Sequence, residues 1–343
     1  MASRRSHAPT QCLKPRHENS ERPIETGTAR LAGHSESSRH VTLTCHIEKE
    51  EIMPGPRNWT EELIEERFKQ GRGHGVRETF SPWLWVQEFS SYGNATRVPS
   101  LLFRRSIHTF SYIERGMYHF FEYAGNFLKT DDFAPEMMRA VEGKVTIKES
   151  LFDWREQLPV PREVTLAAAK SKRIRHSRYV GTGIPMVMSI DALAVFRGGH
   201  ELFLDAKTSA KTRNKRVMNK LRLHKAYAEY VGRPHYIFTE ESVSKRKLKN
   251  IALVRSAMPR RGELMQPRDL FSHHLDVVKH DAVQKRRISI AEFCRHYDKS
   301  NRLPLGTSLR LVWCLIWNKN FRVDMEAERL SELYLSEIRR GRR

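Results

Sequence analysis

The first 58 residues contain no Phe, Tyr or Trp, and Ser, Thr, His, Arg and Glu crowd them instead. Such a stretch has too little apolar surface to offset the entropy lost on ordering, so residues 1–57 read as a disordered basic and polar tail. Met53 lies just before Trp59, the first aromatic residue, and is an alternative start. Cysteine is scarce as well. Cys12, Cys45, Cys294 and Cys314 lie far apart without a Cys-x-x-Cys pair, which argues against a zinc module or disulfide framework and fits a reducing compartment. Long apolar runs are missing. The longest, Leu311–Trp317, falls far short of the roughly 20 residues that span a bilayer. The N-terminal residues include basic ones but lack the apolar centre of a signal peptide. A cytoplasmic protein with no membrane partner is the expectation.

Acidic residues are the minority charge: 40 Asp and Glu stand against 61 Lys and Arg, for a formal charge of +21 and a pI near 10.1. An excess of that size makes a polyanion the expected partner. A length of 343 residues suggests two domains after the tail, placed at 58–240 and 241–343.

What the sequence does contain is concentrated in two short runs. Met186–Phe196 and Glu201–Lys207 are apolar and β-branched, and Arg197-Gly198-Gly199 between them is a glycine-bearing hairpin loop. If the loop has three residues, Phe196 faces His200, and counting back along the ladder sets Asp191 opposite Asp205. Side chains alternate along a strand, so Asp205 and Lys207 point the same way. Two carboxylates and an ammonium then meet at one end of a hairpin. Phosphodiester hydrolysis asks for that set: carboxylates hold hard divalent cations, and a lysine orients or helps deprotonate water and offsets developing charge. Asp-x-Lys alone is weak, and a surface hairpin with solvated charges explains it equally well. An upstream Asp and a helical Glu bring it closer to the PD-(D/E)xK nuclease pattern. That glutamate is Glu114, on a helix expected within Ser106–Leu128, whose Ile113, Met117, Phe120, Phe121 and Ala124 form one apolar face. Glu114 borders that face. Glu122, two turns on, is its rival.

Elsewhere, Thr60 starts a helix with Glu61 and Glu62 in its first turn, ending near Gln70. Gly71–Gly75 lacks the Gly-Lys-Ser/Thr ending of a phosphate loop. It reads either as a loop presenting Arg72 and His74 to a DNA backbone or as a plain helix C-cap. Pro82–Phe89 reads as a strand entering the core, Phe152–Val160 as the strand opening the sheet, and His235–Thr239 as a further buried strand. Lys172, Arg173, Arg175 and His176 lie in a basic segment before the Asp191 strand. Lys211, Arg213 and Lys215 lie in a basic helical stretch after Lys207. Both are candidate phosphate contacts. The succession helix, three strands, helix, strand is that of PD-(D/E)xK nucleases, an α/β restriction-endonuclease-like core with a mixed sheet flanked by helices.

Several blocks in order carry a more specific likeness: Gly71–Gly75, Ser81-Pro82-Trp83-Leu84, Val86-Gln87-Glu88, Ser111–Glu114, Asp153–Gln157, Val187–Asp191, Asp205-Ala206-Lys207 and Tyr236–Thr239. Over roughly residues 59–240 the chain resembles the TnsA family, the endonuclease subunits of heteromeric cut-and-paste transposons. The resemblance implies that Glu114, Asp191 and Lys207 match the family's catalytic glutamate, metal-binding aspartate and catalytic lysine. Asp205 stands where this fold often has Gln or Glu. Glu114, Asp191, Asp205 and the carbonyl of Ala206 would hold Mg²⁺, with Mn²⁺ as substitute. The family cuts the non-transferred strand at the 5′ ends of the element. Its partners are double-stranded transposon-end DNA, a TnsB-like DDE transposase and a TnsC-like AAA+ ATPase regulator. A stand-alone nuclease of the same fold and a non-cutting DNA- and ATPase-binding adaptor remain alternatives.

After residue 241, Ser244–Lys249 is a basic junction and Ile288–Tyr297 a short amphipathic helix. Residues 303–307 form a turn, Ser308–Trp317 an apolar helix and Phe321–Met325 a wing strand. Arg310 and Asn318-Lys319-Asn320 are expected to be exposed. This is a winged-helix-like α domain, which the resemblance gives to partner contact, with DNA reading left open. Arg339–Arg343 reads as an electrostatic arm.

Overall fold

The computed structural model describes residues 59–88, 94–125, 150–258, 277, 280 and 287–340. The expected tail, residues 1–57, lies outside them. Thr60 caps the first helix, α1 (Glu61–Lys69), by accepting from the Leu63 N–H at 3.2 Å, and the helix closes at Gln70. Beyond it Gly71, Gly73 and Gly75 all have positive φ, and a Cβ on Gly73 would collide with the Pro159 ring.

The expected strand at 82–89 is not one. Residues 86–88 form a single 3-10 turn, and 82–85 have no sheet partner. Aromatic packing holds this segment in place of a ladder. Trp83 is buried against Trp59 and Phe68, and its N–H donates to the Gln157 carbonyl at 3.2 Å. The expected helix at 106–128 is shorter at its start. Ser106–Thr109 is β2, antiparallel to β1 (Thr96–Pro99). The helix α2 covers Tyr112–Gly125, and its buried face carries Ile113, Met117, Phe120 and Phe121; residues 126–128 are outside the described part.

The central sheet has the order β3-β4-β5-β6. Its strands are β3 (Leu151–Pro159), β4 (Ser189–Phe196), β5 (Glu201–Ala206) and β6 (His235–Phe238). β3, β4 and β5 are antiparallel neighbours, and β6 joins β5 in parallel. A parallel partner needs a crossover. Two helices supply it, both later in the chain than α3 (Arg162–Ser171), a helix between β3 and β4 that is not among the elements expected from the sequence. They are the single turn α4 (Ser209–Thr212) and the long α5 (Lys215–Tyr230). Every residue of β4 is buried, as a strand covered on both faces requires. Ala192, Ala194 and Phe196 share a core with α2. Leu193 and Val195 pack with Phe203 and with Ala228 of α5.

The core does not stop at residue 240. α6 (Lys245–Ser256), α7 (Ile290–Ser300) and α8 (Thr307–Trp317) contribute Ile251, Val254, Phe293, Leu311, Leu315 and Trp317 to the same cluster as α2 and the sheet. The Tyr123 and Trp317 rings stand 5.4 Å apart. Of the expected wing, Phe321–Arg322 (β7) pairs with Arg339–Arg340 (β8); the latter pair is therefore built into a ladder, and residues 341–343 are not described. Arg310 is exposed, but its Nε donates to the Ala257 carbonyl at 2.8 Å. Lys319 is not exposed as expected; its ammonium lies over the Tyr123 ring.

Candidate metal centre and basic cleft

The hairpin places the site. The Phe196 N–H donates to the His200 carbonyl at 2.8 Å, Gly199 takes the left-handed φ of 83° that a three-residue hairpin loop needs, and the ladder then runs Val195–Glu201 to Ala192–Leu204. Carried one residue further, the same register sets Asp191 across from Asp205. Asp191 Oδ2 accepts from the Ala206 N–H at 2.8 Å and from the Lys207 ammonium, which also donates to the Ala206 carbonyl at 2.9 Å. Burial disfavours the Lys207 ammonium, but Asp191 and Asp205, with Glu114 behind them, outweigh it and push its pKa upward.

Glu114 is the third residue of α2 and is buried. Its Oε1 accepts from the Ser111 hydroxyl at 2.9 Å and its Oε2 from the Phe110 N–H at 2.8 Å, while the Glu114 N–H donates to Ser111 Oγ. Ser111 thus caps the start of α2 by accepting from the Glu114 N–H, and its hydroxyl and the Phe110 N–H hold the Glu114 carboxylate at that helix end. Burial first, and the Asp191 charge second, raise its pKa to about 7. Gln157 of β3 stands 3.5 Å from Glu114 Oε2 and accepts from Ser189 Oγ at 3.1 Å, linking three elements. Glu122, the rival, is engaged elsewhere. It accepts from the Leu101 N–H, the Tyr118 hydroxyl and the Arg255 guanidinium at 2.6–2.7 Å.

Asp205 departs from the simple picture of two carboxylates facing each other. It is fully buried, and its Oδ2 contacts His224 Nδ1 and His235 Nε2, each at 2.7 Å. Its Oδ1 has no hydrogen-bond partner. Burial opposes the charge on Asp205, yet the two imidazoles and Lys207 hold its pKa well below the usual carboxylate range. Burial likewise pushes His224 downward, against the attraction of Asp205. Sequence pattern alone marks neither histidine, nor Gln157, as a site residue. The only signal is a histidine on the apolar side of a helix and another opening a buried strand.

The candidate phosphate contacts divide. Arg72 is buried, ion-paired to Glu88 at 2.8 Å and stacked on Trp85, because residues 82–88 fold over it. It presents no guanidinium to DNA. His176 is half-buried, with its Nδ1 2.8 Å from the Ser177 carbonyl and its Nε2 2.9 Å from the Thr165 hydroxyl, and it lines the same cleft as Arg175 and Lys215. His74, Lys172, Arg173, Arg175, Lys211, Arg213 and Lys215 are exposed, Lys172 pairing with Glu229 at 3.3 Å. Arg175, Arg178, Lys215 and Arg216 line one cleft between the segment before β4 and the start of α5, together with Asn219.

Residues 242–325 match the family described as TnsA endonuclease C terminal. This part of the chain carries the helices that close the core over α2. Over 289 residues the chain is 25% identical to the Transposon Tn7 transposition protein TnsA of Escherichia coli, covering 82% of this chain and 94% of that one. Among the described residues, no helix is long and apolar enough to cross a membrane.

Proposed function

We propose that the chain is a divalent-metal-dependent DNA endonuclease of transposition, with a PD-(D/E)xK core and a winged-helix-like C-terminal part. In this reading it hydrolyses the non-transferred strand at the 5′ ends of a transposon. The observation that carries the reading is the convergence of Glu114, Asp191, Asp205 and Lys207 on one end of the β4–β5 hairpin. The donor set fits a hard cation: three buried carboxylates, one with a bare oxygen at Oδ1 of Asp205. Glu114, Asp191, Asp205 and the Ala206 carbonyl would hold it. Such a cation lowers the pKa of water and offsets phosphate charge. Lys207 donates to the attacking water or to a phosphate oxygen, and Glu114 and Asp191 keep that ammonium in place. Water adds to phosphorus and one P–O ester bond breaks, leaving a phosphate monoester and a hydroxyl that takes up the proton.

The basic cleft supplies the track for the duplex. α5 opens with Lys215 and Arg216 and has no acidic residue in its first turn; α6 opens likewise with Lys245, Arg246 and Lys247. Cations at a helix N-terminus oppose the helix dipole, so these turns gain when an anion such as phosphate sits among them. A TnsB-like DDE transposase would process the other strand, and a TnsC-like AAA+ regulator would couple both to target DNA.

Strand-specific nicking in the reconstituted transposase mixture with Mg²⁺ tests the reading. Asp191→Ala and Lys207→Ala should each lose about 100-fold or more of 5′-strand cleavage, the scale of removing one group that stabilises a transition state, while DNA binding stays near wild type. Undiminished nicking by either variant would refute the assignment, and absence of nicking by the intact chain would favour the adaptor.

A further inference from the structure

Two imidazoles reach one oxygen of Asp205 from separate elements. His224 lies on the buried face of α5, and its Nδ1 is 2.7 Å from Asp205 Oδ2. His235 opens β6, and its Nε2 is 2.7 Å from the same atom. The Asp205 and His224 side chains are 0% exposed and that of His235 is 4% exposed. The second carboxylate oxygen, Oδ1, is buried without a partner. Leaving such an atom bare is unfavourable, so a buried orphan of this kind calls for something that completes it.

The three side chains are close enough to ligate a cation among themselves, their ligand atoms lying within 4.8 Å of one another. The distances favour a different reading. Ligands on 2.0–2.2 Å bonds to a tetrahedral ion stand roughly 3.4 Å apart, whereas both nitrogens here sit at 2.7 Å from a single oxygen, a hydrogen-bond length. We infer that His224 and His235 are positioning residues that clamp Asp205 by Oδ2 and leave Oδ1 as the atom offered to the divalent cation. This rests on the metal-dependent reading above. A two-point clamp fixes the rotamer that a short side chain such as aspartate must adopt to serve as ligand. Removal of outer-shell partners of this type typically weakens metal binding by about 10–100-fold.

The two rings use different nitrogens, so their conservative replacements differ. An Asn amide nitrogen mimics Nδ1 of His224, and a Gln amide nitrogen mimics Nε2 of His235. Mn²⁺ binding to the full chain is measured by calorimetry for His224→Leu, His224→Asn, His235→Leu, His235→Gln and Asp205→Asn, with thermal unfolding of each. The leucine variants should bind Mn²⁺ about tenfold or more weakly, and the Asn and Gln variants should stay within about threefold of wild type. If the leucine variants do not fold, His235→Asn, whose amide is a methylene too short, must show the tenfold loss that His235→Gln does not. Folded leucine variants with wild-type affinity overturn the clamp, as do Asn and Gln variants no better than leucine. Wild-type affinity in Asp205→Asn would instead remove Asp205 from the ligand set, and with it the metal-site reading itself.

Discussion

Glu114 and Glu122 show how two carboxylates on one helix take opposite duties. Glu122 is fully buried, and each of its oxygens is committed to a neutral donor or to Arg255. Removing one partner of such a pair leaves the other charge stranded and costs about 3–5 kcal/mol. Glu122→Ala should lower unfolding free energy by that amount in a denaturant titration; a decrease under about 1 kcal/mol, the level of an exposed pair, would show that the bridge is dispensable. Glu114 behaves in reverse. Burial and Asp191 disfavour its carboxylate, so Glu114→Gln keeps an acceptor for the Ser111 cap and should leave stability unchanged or raised while nicking falls. If Glu122→Gln abolishes nicking and Glu114→Gln does not, the roles are exchanged. Glu114 is legible in sequence because it borders the apolar face formed by Ile113, Met117, Phe120 and Phe121. The surroundings of Asp205 are not legible. His224 and His235 lie 19 and 30 residues away along the chain, and nothing in local periodicity says that α5 and β6 return to that carboxylate.

At the scale of elements, the hairpin is the most readable feature. Arg197-Gly198-Gly199 fixes a loop length, loop length fixes register, and register decides which side chains share a face. The elements that sequence misplaces share a cause. Pro82–Glu88 has the composition of a buried strand, but its Glu88 pairs with Arg67 and Arg72 and Trp83 enters an aromatic cluster, so tertiary contacts override the pattern. β1 and β2 have four residues each, too short for alternation to stand out beside α2. α3 does carry local signals: Pro161 at the cap position, Glu163 in the first turn and an alanine run. For the basic first turn of α5, a prediction belongs at this scale. Every phosphate that a side chain ceases to neutralise lowers the salt slope of DNA binding by about 0.9. Replacing Lys215 and Arg216 together by Gln should flatten the slope by about 2 in fluorescence anisotropy over a salt series. A parallel shift without change of slope would mean that neither residue meets a phosphate.

On the scale of the whole molecule, sequence pattern suggests a boundary near residue 241, and the family match begins at residue 242. The packing nevertheless runs across it. α2 is covered by α6, where Leu248 lies against Gly116, and Arg255 crosses from α6 to Glu122 at 2.6 Å. Phe120, Phe121 and Tyr123 share one cluster with Ile251, Val254 and Trp317. Cutting the chain after Glu240 would therefore uncover the far face of α2 and strand the buried Glu122. Fully exposing a large apolar side chain costs about 1.5–3 kcal/mol, and a domain's whole stability is only about 5–15 kcal/mol, so a handful of such side chains is enough to unfold the remainder. Residues 59–240 alone should aggregate or lack a cooperative thermal transition, although they contain every residue assigned to chemistry. Circular dichroism melts and size-exclusion chromatography of that fragment against the full chain check this. A monomeric fragment melting cooperatively near the full-chain temperature would show that the nuclease part keeps its own core. Exposed positions of the C-terminal part, such as Leu305, are for the same reason best substituted in the intact chain, leaving α8 whole.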